Sequence, residues 1–272
     1  MTDYFDESFK LTMSGLEKGL QVAHITTSPV LGCESDEDIA AVLTRPELVD
    51  FDMIPVRYDE KIVGILRKGE AYSDAGTVRE CMHLLDESVL ISADVPLVEF
   101  INSDVLDRLV LRGTKIDGIV TRSDFLKLPV RLLAFSMVTH VETLMTAVIR
   151  RVDIDEQTWL AYLGNGRRKE ILRKQRKLSQ QRANPDLLEH TYFADKRTIL
   201  EQNKGITTQI IDEKAIDQLK QINELRNTVA HTGGDVKSQD PIRSFIERLQ
   251  VTQNWIQHVQ DMLAQYDERA VV

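Results

Sequence analysis

Two regimes of hydrophobic patterning divide the chain. Up to about residue 128, short apolar runs rich in β-branched residues are separated by acidic and turn-forming stretches. Beyond it, apolar residues recur three and four positions apart, the spacing of one face of an α-helix. In the first regime IPVRYDEKIVGIL (54–66) aligns with RLVLRGTKIDGIV (108–120) at a constant offset of 54, matching Val56 with Val110, Lys61 with Lys115, Ile62 with Ile116 and Gly64 with Gly118. Each copy predicts a strand, a tight turn and a second strand, with YDEK and RGTK as the turns. Upstream, VLGCESDEDIAAVL (30–43) pairs with VLISADVPLVEFI (89–101), each a short strand, an acidic turn and an amphipathic helix. The expectation is an α+β unit over 1–128 made of two β-α-β-β-α repeats, about 20–76 and 77–128, packed as a pseudo-twofold body.

From Pro129 the pattern predicts an all-α bundle of four to five helices over 129–272, opening with PVRLLAFSMVTHVETLMTAVIRRV. Asn184-Pro185-Asp186, Asp212 and Asp240-Pro241 supply N-cap signals, and Gly205 and Gly233-Gly234 are placed to end helices. Trp159 and Trp255 fall at core spacings, while His24, His190 and His258 read as surface or capping residues.

Charge changes the picture. The formal net charge is −9, but residues 1–128 hold 13 basic and 24 acidic side chains, whereas 129–272 hold 21 and 19. Within the second half, GRRKEILRKQRKLSQQR (166–182) has eight basic residues against one acid. A polyanion is repelled by the first half and locally attracted by the second. MTDYFDESFK lacks the layout of a signal peptide, and LLAFSMVTHVETLMTAVI carries His140 and Glu142, which suits a buried amphipathic helix rather than a membrane span. Two cysteines, Cys33 and Cys81, fit a reducing compartment. These readings place the protein in the cytoplasm with no membrane partner.

The best-marked spot of the first half is GIVTRSD, Gly118 to Asp124. A strand ends, a hydroxyl follows and a carboxylate comes three residues later. At a strand-to-helix turn Thr121 can donate to a phosphate oxygen and Asp124 can accept from ribose hydroxyls. The same spacing also makes a capping box. In its repeat context the stretch resembles the CBS (cystathionine-β-synthase-type) domain pair, or Bateman module. That resemblance implies a sensor for an adenine nucleotide (AMP, ADP or ATP) held by Gly118, Thr121 and Asp124, with Val89 and Ile91 flanking the base. The first copy departs from the pattern: GILRKGE puts Arg67 in place of the hydroxyl and Glu70 in place of the aspartate, which implies one competent site.

The stretch ELRNTVAHTGG (224–234) sets a cation on an apolar face. Ile216, Leu219, Ile222, Leu225 and Val229 form a helical stripe, and at about 100° per residue Arg226 points into its middle. Such a charge needs a partner: an internal carboxylate, with Glu142 as the candidate, a second subunit, or an anionic ligand. His231, at the predicted helix end, and Asn227 lie close in angle. An arginine that stabilises charge on phosphorus and an imidazole that moves a proton give a metal-free route through a ribose 2′-hydroxyl. RNTVAH resembles the HEPN domain signature. That resemblance implies a homodimeric ribonuclease whose composite site is built from Arg226, Asn227 and His231, with Glu142 as a supporting acid. Arg167, Arg168, Lys169, Arg173 and Lys174 of the basic run are the residues expected to position RNA. No metal site is legible and no cofactor is required. The competing reading is a non-catalytic dimerisation or RNA- or protein-binding module under CBS control.

Overall fold

The computed structural model describes residues 7–67, 69–70, 72, 76–179, 186–230 and 240–270. The chain separates into two compact units, Glu17–Val130, and Met1–Leu16 with Arg131–Val272. Helix α1 (Glu7–Gly19) crosses the first boundary.

The strand-containing unit carries β1 (Cys33–Glu34), α2 (Ile39–Leu43), β2 (Met53–Tyr58), β3 (Lys61–Arg67), α3 (Val78–Cys81), β4 (His83–Leu84), β5 (Leu90–Ser92), α4 (Leu97–Phe100), β6 (Arg108–Arg112) and β7 (Lys115–Val120). They form two sheets, β1-β2-β3-β4 and β5-β6-β7. The sequence repeat is a structural one. β1 pairs parallel to β2 as β5 does to β6, and the antiparallel hairpins share one register, Val56 opposite Gly64 and Val110 opposite Gly118. Each hairpin has its bulge at the same place, between Val56 and Arg57 and between Val110 and Leu111.

The second sheet is finished by chain from before the first. Thr27 exchanges both backbone hydrogen bonds with Ile119 at 2.8 and 3.0 Å, just as β4 flanks β3. Val22 and Ala23 donate to Val95 and Ala93, while Val78 and Arg79 donate to Glu37 and Ser35 in the other repeat. The two glycines of the aligned hairpins make this possible. A Cβ on Gly118 would meet Thr26 Cγ2 at 2.1 Å and Thr27 O at 2.9 Å; one on Gly64 would meet His83 O at 2.6 Å. Cys33, Ile39, Val42, Leu48, Ile54, Val56, Leu66 and Val78 fill the core of the first repeat. Met53, Ile65, Val89 and Leu109 join the two repeats in a second cluster.

Beyond the seam, the described residues form α5 (Leu128–Val152), α6 (Glu156–Tyr162), α7 (Asn165–Ser179), α8 (Phe193–Gln202), α9 (Lys204–Thr207), α10 (Glu213–Ala230) and α11 (Pro241–Ala270). The expected four to five helices correspond to α5, α7, α8, α10 and α11; α6 and α9 are short additions. Gly205 does not end a helix: α8 closes at Asn203, whose side-chain amide donates to Ile199 O at 2.8 Å, and Gly205 lies inside α9. Asp212 and Asp240 cap as expected, accepting from the amides of Ala215 and Arg243 at 2.8 and 2.9 Å. Asp186 accepts from Leu188 N at 2.9 Å and caps a short 3-10 turn at Leu187–His190. Trp159 and Trp255 are buried, and Trp255 Nε1 donates to Ala215 O at 2.8 Å. Helix α5 is long and apolar enough to pass a length-and-composition test for a membrane span, and 67% of its most apolar window is buried inside the structure.

Candidate functional site

The strand-containing unit has a cleft of about 470 Å³ lined by Asp52, Met53, Arg67, Gly69, Glu70, Asp107 and Arg122. Its size is that of a small-molecule site. Its walls come from corresponding ends of the strands in the two repeats, one residue away from the offset of 54. Asp52 and Asp107 immediately precede or open the way into β2 and β6, while Arg67 ends β3 and Arg122 follows β7. Among the described residues neither the Arg67 nor the Arg122 guanidinium makes an ion pair. Glu70 is held by His83 Nε2 at 2.5 Å, which keeps its carboxyl below the usual range. The Tyr72 hydroxyl accepts from Arg67 N at 2.8 Å and fixes the strand end. Asp107 Oδ1 accepts from Arg122 N at 3.3 Å.

The expected nucleotide ligands fare differently. Thr121 and Asp124 form a capping box at the start of the 3-10 turn Arg122–Leu126: Asp124 Oδ2 accepts from Thr121 N at 2.6 Å and from its hydroxyl at 3.1 Å. The other oxygen of Asp124 accepts from Thr27 at 3.0 Å and pairs with Lys127 Nζ at 2.7 Å. Asp124 is 5% exposed, so its acceptor capacity is used inside the unit. Gly118 is explained by the close passage of Thr26 and Thr27. Val89 lies in the inter-repeat core and Ile91 is half-buried on β5. The cleft instead opens on Arg67 and Glu70, the pair that departs from the motif. Sequence reasoning missed Asp52, Asp107 and Arg122. Their signal was the repeat itself, since both aspartates stand just before the aligned strands and Arg122 lies within the quoted motif.

In the helical unit, Arg226 is in the last turn of α10. Its angular position on the stripe is as expected, but its side chain is 41% exposed, so the expected burial is corrected. The buried residues of α10 are Ala215, Ile216, Leu219, Ile222 and Leu225. Arg226 follows the last of them, at the end of the helix, where its guanidinium reaches solvent. Its Nε lies 3.7 Å from Glu142 Oε1, the acid named from sequence. Asn227 is exposed. His231 and Gly233-Gly234 lie outside the described residues. Nearby, Arg131 donates to Val229 O at 3.2 Å, placing a second cation on the C-terminal carbonyls of α10. Lys196 on α8 is buried, which lowers its pKa; the Glu142 charge opposes that shift, so Glu142 answers to both Lys196 and Arg226.

The residues expected to position RNA divide between two faces of α7. Arg167 pairs with Asp195 at 2.7 Å and Glu170 at 2.7 Å and lies over the Tyr192 ring at 3.9 Å. Lys174 donates to Tyr192 Oη at 2.9 Å and pairs with Glu170. Arg168 donates to Asn165. Lys169 and Arg173 are exposed. Among the described residues no group of three or more His, Cys, Asp and Glu is arranged to hold a metal.

No family model matches the chain, and no curated protein matches it. Solved structures do. The CBS domain protein NE2398 is 18% identical, with a TM-score of 0.32 over 38% of this chain and 92% of that one. The CBS domain of the bacterial CNNM/CorC family Mg2+ transporter, in complex with ATP, is 17% identical, with a TM-score of 0.34 over 47% and 95%. Protein MJ1004 from Mathanocaldococcus jannaschii is 14% identical, with a TM-score of 0.36 over 88% and 99%. The strand-containing region resembles CBS domains, and a helical region follows it.

Proposed function

We propose that the strand-containing unit senses an adenine nucleotide and that the helical unit is its effector, a metal-independent endoribonuclease working as a homodimer. The observation that carries the sensing role is the cleft with two guanidiniums, Arg67 and Arg122, that have no ion pair among the described residues. Guanidinium forks match phosphate oxygens, while Asp52, Asp107 and Glu70 supply acceptors for ribose hydroxyls or an exocyclic amine. The ligand acts on the effector only as far as it prefers one state over another.

The test is thermal denaturation with AMP, ADP and ATP in turn. At least one should raise the melting temperature, and Arg67→Ala with Arg122→Ala should abolish that rise. A rise that survives this double substitution but disappears in Thr121→Ala moves the site to the motif. No rise with any of the three removes nucleotide sensing.

For the effector, support comes from Arg226, a half-exposed cation at a helix end whose ion pair among the described residues is a 3.7 Å contact with Glu142. A loosely held guanidinium is free to turn to a phosphate, where it stabilises charge as His231 transfers the proton; Asn227 and Glu142 orient the pair. In EDTA the wild type should cut labelled RNA to 2′,3′-cyclic phosphate ends. Arg226→Ala and His231→Ala should each lower the rate at least about 100-fold. Equal activity in all three proteins excludes the site. A monomer in sedimentation analysis excludes a composite one. Loss of the dimer in Arg226→Ala without any cleavage by the wild type favours the competing reading of a dimerisation module.

A further inference from the structure

We propose that the outward face of α7 is the surface that holds the phosphodiester backbone of single-stranded RNA, through Lys169, Arg173, Arg176 and Lys177. This inference rests on the reading of the helical unit as RNA-directed, and it reassigns the residues that do the work. At about 100° per residue, these four side chains fall within an arc of about 100°, and Arg167 and Lys174 point away from its centre by about 110–130°. All four are exposed, and none makes an ion pair among the described residues. From Lys169 to Lys177 the helix rises about 12 Å, so the cations form a short linear stripe.

The opposite face explains why the stripe stays in place. Arg167 and Lys174 close on the Tyr192 ring from 3.9 and 4.9 Å, and Glu170 and Asp195 neutralise them. That clamp fastens α7 to the segment leading into α8 and consumes its own charges. Among the described residues the four outward cations are therefore left without an ion pair, in a chain whose net charge is −9. A chain that avoids net positive charge and still keeps this run unpaired presents it to an anion.

Among anionic partners, a membrane surface is disfavoured. Interfacial helices carry exposed apolar side chains beside their cations, and no large apolar side chain is exposed among the described ones of α7. A linear row of point charges with no apolar border fits a polyphosphate backbone read without sequence preference.

The experiment measures binding of a fluorescein-labelled 20-nucleotide RNA by anisotropy across a series of salt concentrations. All proteins carry Arg226→Ala, so that cleavage does not intervene. Replacing Lys169, Arg173, Arg176 and Lys177 together by Ala, a residue that favours the helix, should weaken binding at least about 10-fold at 0.1 M salt. It should also reduce the slope of log affinity against log salt by about 2–3, the value for four phosphate contacts on a single strand. Arg173→Lys with Arg176→Lys should retain the slope, since charge is kept. Unchanged affinity and slope in the quadruple variant, with helicity intact by circular dichroism, overturn the proposal. So does loss of binding to phosphatidylserine vesicles in that variant while RNA binding persists. Because binding is read apart from cleavage, a protein that binds RNA through the stripe but never cuts it overturns the nuclease and leaves the stripe standing.

Discussion

Both oxygens of Asp124 are taken by groups of its own unit, and this makes it a structural residue first. Asp124→Ala should destabilise the strand-containing unit by about 2–3 kcal/mol with no nucleotide present, since a cap and the partner of Lys127 are lost together. Urea denaturation followed by fluorescence measures this. A second titratable group acts through pH. His140 of α5 is buried, with Gln260 Nε2 of α11 at 3.2 Å from its Nε2, and burial lowers its pKa to about 4. The unfolded chain therefore takes up a proton near pH 6.5 that the folded unit refuses until about pH 4. Stability is unaffected above pH 6.5 and falls between 6.5 and 4 by up to about 3 kcal/mol. His140→Gln should flatten that part of the stability-pH curve. At this scale the capping box of Thr121 and Asp124 was legible from spacing alone. Its reinforcement by Thr27, 97 residues away, was not, because no local pattern carries a long-range contact. Arg226 was read correctly in angle and wrongly in burial: periodicity gives direction around a helix, but not how far along it the neighbours extend. The Arg226→Ala substitution should accordingly change stability by no more than about 1 kcal/mol.

At the scale of elements, the offset of 54 gave the hairpins, their turns and their matching glycines. It could not show why the glycines are needed. Gly118→Ala places a methyl against Thr26 and the Thr27 carbonyl, and should cost about 1–3 kcal/mol through displacement of that segment. Hydrogen exchange at Thr27 and Ile119 amides should quicken with it. Helix α7 teaches the complementary lesson. Composition announced a basic run, yet its residues divide by face, and only the positions of Glu170, Tyr192 and Asp195 decide which charges are spent internally. The short helices α2 and α3 stand on caps, and α4, which has no side-chain cap, on the burial of Leu97 and Phe100, rather than on propensity.

For the molecule as a whole, the change of period at residue 128 separated strands from helices without any coordinate, because hydrophobic repeat length reports directly on secondary structure. The acidic first half and the basic run of the second were likewise visible in composition. What composition could not supply is the course of the chain within the strand-containing unit, where residues 21–27 lie against the second repeat and Thr27 bridges to Ile119 at the edge of its sheet. Deleting residues 1–27 should therefore leave the first sheet's residues intact and still abolish a single cooperative unfolding transition for that unit, as seen by calorimetry. The same closure sets an order of events during synthesis. The 21–27 segment leaves the ribosome early and has no partner until Ala93, Val95 and Pro96 follow, and Thr27 has none until Ile119, so the first repeat can assemble alone while the second must close a loop of more than 90 residues. That long closure has an entropic cost that grows only slowly with length, but it delays the contact. The last segment to be secured in this unit is then among the first to be made.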